Sequence, residues 1–397
     1  MIDELLGDAE AVALTEQIHP GGSMDECMAR AAWTVIAEPG DAVAGALIAE
    51  LGAAEALAVA VGHSSSLLSP GSANAAASRM LADGRARWTP RAAPRAVLAA
   101  LHGAAAAGVR LLIPGDAAWP AALDDLGPHV PAALWVRGRV ELLDHQPRVS
   151  IVGARASSGY GEHVASEIAG DLAATGVVIV SGGAYGIDGA AHRAALGVEG
   201  ATVAFLAGGV DRAYPAGHQA LLRRIAEEGA LVSEPPCGTA PTKWRFLARN
   251  RLIAALGHAT VVVEAGWRSG SLNTAGHAAT LGRPLGAVPG AVTSASSAGC
   301  HRLLREYDAQ CVTSAQEVRE LFGAIGHRPD TSPGERDPHH ARILEVMTVR
   351  ARLSIDEVAR RSGLSPDRVR SVLGLLHLEG DVALDSAGWH RAAPPRR

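Results

Sequence analysis

Six short apolar runs dominate the middle of this 397-residue chain: Val149–Val152, Val177–Val180, Thr202–Leu206, Ala230–Val232, Thr260–Val263 and Leu285–Val288. Each is bounded by Gly, Ser or Pro, most are rich in Val, and helical segments separate them. Apolar strands that do not alternate with polar residues are buried on both faces, which calls for a parallel sheet with helices on either side. The runs therefore predict an α/β domain: a Rossmann-like, doubly wound, mostly parallel sheet. Ligands of such sheets bind outside the carboxyl ends of the strands, so the loops that follow the runs carry the chemistry.

The flanks read differently. Residues 1–95 predict a small N-terminal helical domain, of the SAM or helix-hairpin kind, followed by a linker. Asp41–Val61 is Ala-rich with helical spacing broken at Gly52, and Ser64–Arg95 is rich in Ser, Gly, Pro and Arg. Residues 96–323 hold the sheet. Residues 324–338 form a second linker, since Gly326–Gly334 has no apolar pattern. Residues 339–397 predict a winged-helix domain. Ser354-Ile355-Asp356-Glu357 fits a capping box, Ser365-Pro366 opens a further helix, and Val369, Val372, Leu373 and Leu376 follow at helical spacing up to Gly380. Asp381–Arg391 then supplies a hairpin wing.

Composition limits the partners. The net charge is -5, so any nucleic-acid site must be a local patch. Four cysteines without CxxC spacing give no sign of a disulfide framework or a zinc site. No cofactor is expected. The acidic start Met1-Ile2-Asp3-Glu4 does not resemble a secretory signal, and no apolar run approaches the roughly 20 residues of a membrane helix. A cytoplasmic protein is expected.

Four loops attract attention. Gly153-Ala154-Arg155-Ala156-Ser157-Ser158-Gly159 follows the first run and opens a helix, where backbone N–H groups could face an anion. The glycines do not fit GxGxxG, and no P-loop occurs in the chain. Arg155 either pairs with phosphate there or is a surface residue of a tight turn. The second loop runs from Ser181-Gly182-Gly183 through Asp188, read as a helix cap, to His192, which reads first as a packed histidine. The third segment, Lys243-Trp244-Arg245-Phe246-Leu247-Ala248-Arg249-Asn250-Arg251, holds four cations, two aromatics and no acid. Lys243 is the only lysine of the chain. Cations along a groove with aromatics for base stacking suit single-stranded nucleic acid, whereas a solvated amphipathic helix face is the plainer alternative. The fourth loop, with Ser269-Gly270-Ser271, again offers amides and small side chains after a strand.

In order, these segments resemble the DNA-processing protein A (DprA/Smf) family. The matching stretches are Val152–Arg155, Ser181–Asp188, Gly208-Gly209-Val210 with Tyr214-Pro215, Ser233-Glu234, Arg249-Asn250-Arg251, Ser269-Gly270-Ser271, Thr274-Ala275 and Pro289-Gly290, spread over roughly Leu111 to Val318. The resemblance implies a protein without catalytic activity that binds incoming single-stranded DNA in natural transformation, protects it and helps load the RecA recombinase. It also implies a homodimer formed through the Rossmann-like domain, and strand-binding roles for Arg155, Lys243 and Phe246. The full set of expected DNA-binding residues is Arg155, Ser157, Gly182, Gly183, Lys243, Phe246, Arg249, Asn250, Arg251, Ser269 and Gly270. The chain departs from the family pattern at Leu247, where proline is usual, and at Cys300-His301. Two alternatives compete. One is a nucleotide-hydrolysing phosphoribohydrolase of the lysine-decarboxylase-like group, but its catalytic Glu has no equivalent at Arg268–Ala275. The other is a winged-helix regulator, although residues 339–397 carry only ten Arg against seven acids.

Overall fold

The computed structural model describes residues 1–62, 75–323, 338–349, 351–378, 381–385 and 388–392. The chain divides into two compact units, Met1–Ala324 and Ile325–Arg397.

The first unit is built on nine strands: β1 (Arg110–Leu112), β2 (Leu134–Gly138), β3 (Arg148–Val152), β4 (Val178–Ser181), β5 (Thr202–Leu206), β6 (Ala230–Ser233), β7 (Ala259–Val262), β8 (Leu285–Ala287) and β9 (Gln310–Cys311). Their order is β1-β2-β6-β5-β4-β3-β7-β8-β9. The pairs from β6 across to β9 are parallel, while β2 joins β6, and β1 joins β2, antiparallel. The six apolar runs are β3 to β8. The other three strands were not anticipated. β1 and β9 are too short for a periodic signal, and β2 soon leaves its apolar Leu134-Trp135-Val136 for Arg137-Gly138.

Among the described residues, seven α-helices precede the parallel strands: α1 (Ile2–Gly7), α2 (Ala9–Ile18), α3 (Met24–Ile36), α4 (Ala42–Leu51), α5 (Ala53–Ala60), α6 (Ala75–Trp88) and α7 (Pro94–Ala106). Seven more connect the strands or follow them: α8 (Gly159–Ala174), α9 (Ile187–Gly197), α10 (Gln219–Glu228), α11 (Lys243–Leu256), α12 (Ser271–Thr280), α13 (Ala298–Glu306) and α14 (Ala315–Leu321). Alternation along each buried strand distributes its residues between two helix layers. Val178 and Val180 share a core with Leu252 and Leu256 of α11, and Ile179 shares another with Ala165 of α8 and Ala191 of α9. A third core joins Trp33, Leu57, Trp88 and Leu101 of the N-terminal helices to Leu206 and Ile225. Within the stretch read as the first linker, residues 63–74 lie outside the described residues, and α6 occupies 75–88. Its polar composition hid an apolar seam: Leu81 and Trp88, two turns apart, are both buried.

The second unit has α15 (Pro338–Val346), α16 (Ile355–Ser362), α17 (Pro366–Leu378) and a hairpin of β10 (Val382–Asp385) and β11 (Gly388–Arg391). Ser354 caps α16 by accepting the Glu357 N–H, and Ser365 accepts the Arg368 N–H. Val369, Val372, Leu373 and Leu376 are all buried, so this unit is the winged helix that the spacing predicted. Gly380 and positions 324–337 of the second linker lie outside the described residues.

Candidate nucleic-acid interface

The order of strands fixes where a site can form. From β3 the chain moves outward through β4, β5 and β6, then returns to the other flank of β3 as β7. The loops after β3, β4 and β7 therefore meet at the switch point. Ala154 donates to the Glu264 carbonyl, and Ile187 donates to the Ala154 carbonyl. Gly186 (φ 74°) lies so close to Ala154 that a Cβ there would be 2.2 Å from its carbonyl oxygen.

The start of α8, where the sequence suggested a seat for an anion, already holds one. The buried Glu264 carboxylate accepts from the Ser158 N–H and from its hydroxyl, both at 2.8 Å. A Cβ on Gly161 would be 2.4 Å from Glu264 Oε2. The protein thus supplies its own counter-charge to the positive helix end, and Arg155 is left on the exposed shoulder of the turn.

Helix α11 is the return crossover, packing across β5, β4 and β3, and this sets its first turns at the carboxyl edge of the sheet. Thr242 caps it by accepting the Arg245 N–H. The four cations of the segment separate into two pairs. Arg245 donates to both oxygens of Glu38, at 2.9 and 3.0 Å, and Arg251 is paired with the buried Glu234 at 2.8 Å. Arg251 also donates to the carbonyls of His129 and Ala248. Acids distant in sequence therefore neutralise these two, and Arg251 does not join the surface cluster. Burial pushes the Glu38 carboxyl up, but hydrogen bonds and charge from Arg245 and Arg91 outweigh it and hold the group below the usual range.

Lys243 and Arg249 are the other pair. Lys243 is exposed on the first turn. Arg249 is only 5% exposed, and its Nε has no hydrogen-bond acceptor among the described residues. Its guanidinium lies against Gly182, where a Cβ would come within 1.5 Å of Nη1, so a larger residue there would displace the guanidinium. Burial lowers its pKa to about 10, which still leaves a cation at neutral pH; Asp188 opposes the shift and Arg155 adds to it. Asp188 follows Gly186, the residue that caps α9, and so stands in the first turn rather than at the cap. Its carboxylate accepts from the Gly182 N–H at 3.2 Å.

Phe246 joins these parts. The Arg155 guanidinium lies 4.7 Å from its ring centre, that of Arg249 5.9 Å, and the Tyr214 ring 5.5 Å. Arg155, Gly182, Tyr185, Tyr214 and Phe246 line one small pocket. Tyr185 and Tyr214 were quoted only as parts of motifs. Three aromatics in a chain poor in them, each in a strand-end segment, was the signal that could have marked them.

The remaining expected residues lie outside the lining of this pocket. Gly183 (φ 66°) donates to His192 Nε2 and accepts from His218 Nδ1. His192 Nδ1 meets Thr202 Oγ1, whose own proton goes to the Ile179 carbonyl, so His192 is fixed as the neutral Nδ1–H tautomer. Burial lowers its pKa to about 3, and it is a structural residue rather than a base. Asn250 donates to the Gly270 carbonyl at 3.3 Å and ties α11 to the fourth loop, in which the hydroxyls of Ser269 and Ser271 are 2.7 Å apart. Ser157 donates to Glu162 at 2.8 Å on the exposed edge. Among the described residues no His, Cys, Asp and Glu cluster could hold a metal, and no helix is long and apolar enough to cross a membrane.

Comparison with known proteins agrees with this fold. Residues 110–323 match the family model of DNA recombination-mediator protein A, and residues 327–388 match that of the DprA winged helix domain. A putative DNA processing protein DprA of Mycobacterium tuberculosis is 48% identical over 299 residues, covering 71% of this chain and 77% of the relative. The Smf protein of Escherichia coli is 37% identical over 270 residues, covering 66% and 72%. The crystal structure of DNA processing protein A from Streptococcus pneumoniae superposes with a TM-score of 0.58 at 29% identity, covering 75% of this chain and 98% of that one.

Proposed function

Because the chain belongs to the DNA recombination-mediator protein A family, we propose that it binds single-stranded DNA at the carboxyl edge of its sheet, through Arg155, Lys243, Phe246 and Arg249. Proteins of this family bind DNA and are not catalysts. The observation that carries the reading is the pair Arg155 and Arg249, one exposed and one buried, both against the Phe246 ring. Two guanidinium charges beside one small pocket favour an anion there, and phosphate suits guanidinium donors in charge and geometry. Phe246, Tyr185 and Tyr214 offer faces on which bases stack whatever their identity. Gly182 lines the pocket, and in this reading Gly183, Ser157, Asn250, Ser269 and Gly270 extend the interface beyond it. Arg251 serves instead to hold α11 to Glu234, just past β6, and to the His129 carbonyl.

The same reading gives the protein a role in protecting incoming strands and passing them to the RecA recombinase, as a cytoplasmic homodimer formed through the sheet. It divides the chain into residues 1–95, 96–323, 324–338 and 339–397. Family resemblance supports these parts, and the pocket carries none of them. Affinity for single strands against duplex of matched sequence, measured across a salt series, tests the central proposal. Single strands are expected to bind more tightly with little dependence on sequence. A duplex sequence that binds more tightly than any single strand would favour the winged-helix regulator.

A further inference from the structure

We propose that the bound strand continues past this pocket, around the first turn of α11, into a second cleft formed with the N-terminal helices, where Trp244 stacks a base and Arg87 and Arg91 meet phosphates. The inference rests on the pocket at Arg155 and Phe246 being a single-strand site. The cleft measures about 590 Å³ and is lined by Trp244 on one side and by Arg87, Trp88, Arg91 and the 38–41 segment on the other.

Trp244 is 66% exposed, an unusual position for a large apolar ring on a folded surface. It stands one residue beyond Lys243. Successive residues on a helix turn by about 100°, so Phe246 and Lys243 share one face and Trp244 lies on the far side of Lys243. A strand that stacks on Phe246 thus passes a cation before it reaches the indole. The cleft beyond is charged rather than greasy. Arg87 pairs with Asp41 and Arg91 with Glu38, and both arginine side chains remain about half exposed. Arg245, one residue beyond Trp244, also pairs with Glu38, so three cations meet two carboxylates there. A guanidinium has five N–H donors and can serve a carboxylate and a phosphate together. A cationic wall opposite an exposed indole fits a polyanion with aromatic bases better than an apolar peptide.

The test is a titration with oligothymidylates of graded length, read by equilibrium affinity and by tryptophan fluorescence. In the wild-type protein, quenching is expected to begin only once the oligonucleotide is long enough to leave the first pocket. Trp244→Phe removes that quenching. Trp244→Ala weakens long oligonucleotides about tenfold, as loss of one stack does, and leaves the shortest bound one unchanged. Arg87→Gln with Arg91→Gln flattens the salt dependence for long oligonucleotides alone. If Trp244→Ala binds every length as the wild type does while Arg155→Ala still loses the shortest, the second cleft is wrong and the first pocket stands. If Arg155→Ala binds the shortest as well as the wild type, the first pocket fails and this extension with it.

Discussion

Two arginines two residues apart show how little sequence proximity says about role. Arg249 and Arg251 are equally buried, yet Arg251 has its donors filled by Glu234 and two carbonyls, whereas the Arg249 Nε has no acceptor among the described residues. Arg251→Ala leaves Glu234 buried without its partner, and loss of one member of a buried pair costs about 3–5 kcal/mol. Denaturant unfolding is expected to show that loss, and an unfolding midpoint equal to the wild type would contradict the structural role. Arg249→Gln is expected instead to weaken single-strand binding for all sequences. His192 gives a pH prediction. Its folded pKa of about 3 lies below the ordinary histidine value of 6.5, so from pH 6.5 downward the unfolded chain takes a proton that the folded protein refuses. Its contribution to stability is complete above pH 6.5 and declines by about 1.4 kcal/mol per pH unit as pH falls toward 3. Unfolding measured from pH 7 to 4.5 should show a shallower decline in His192→Gln than in the wild type, and parallel curves would show that another group controls the slope.

At the level of elements, the strands were legible because a sheet buried on both faces writes itself as uninterrupted apolar runs, and β3 to β8 fall on the six such runs. What could not be read was anything made by two distant segments. The α11 segment looks free of acid in sequence, but Glu38 and Glu234 reach two of its four cations only after folding. Glu264 was visible in the loop just past β7, but its side chain closes the start of α8, a contact between residues 106 apart in sequence. This gives an ordered prediction. Glu264→Gln keeps an acceptor for Ser158 and should cost less than Glu264→Ala, which removes a helix-capping acceptor worth about 0.5–2 kcal/mol. Thermal unfolding should rank wild type, Gln, then Ala, and an unchanged midpoint for Ala would mean that the carboxylate does not hold this loop. The α6 helix was missed for a different reason: two buried apolar side chains, Leu81 and Trp88, are enough to seat a helix whose other described positions look like linker.

For the whole molecule, the cluster assigned to DNA lies within Met1–Ala324, and the winged helix is a separate compact unit with its own core. A protein ending at residue 324 is therefore expected to keep most of its single-strand affinity, and a folded truncation that no longer binds would place the site elsewhere. With a net charge of -5 the chain cannot attract DNA as a body, so its affinity must come from a few local cations. The salt dependence of binding counts them. For a single strand, each phosphate contact contributes about 0.7 to the slope of log affinity against log salt. The most direct measurement is that slope for the wild type, Arg155→Ala, Lys243→Ala and Phe246→Ala on one oligothymidylate. The two cation variants should bind more weakly, each with a slope flatter by about 0.7, and Phe246→Ala should lose about 1–3 kcal/mol with its slope unchanged. Folded Arg155→Ala and Lys243→Ala proteins that keep both the affinity and the slope of the wild type would contradict the account.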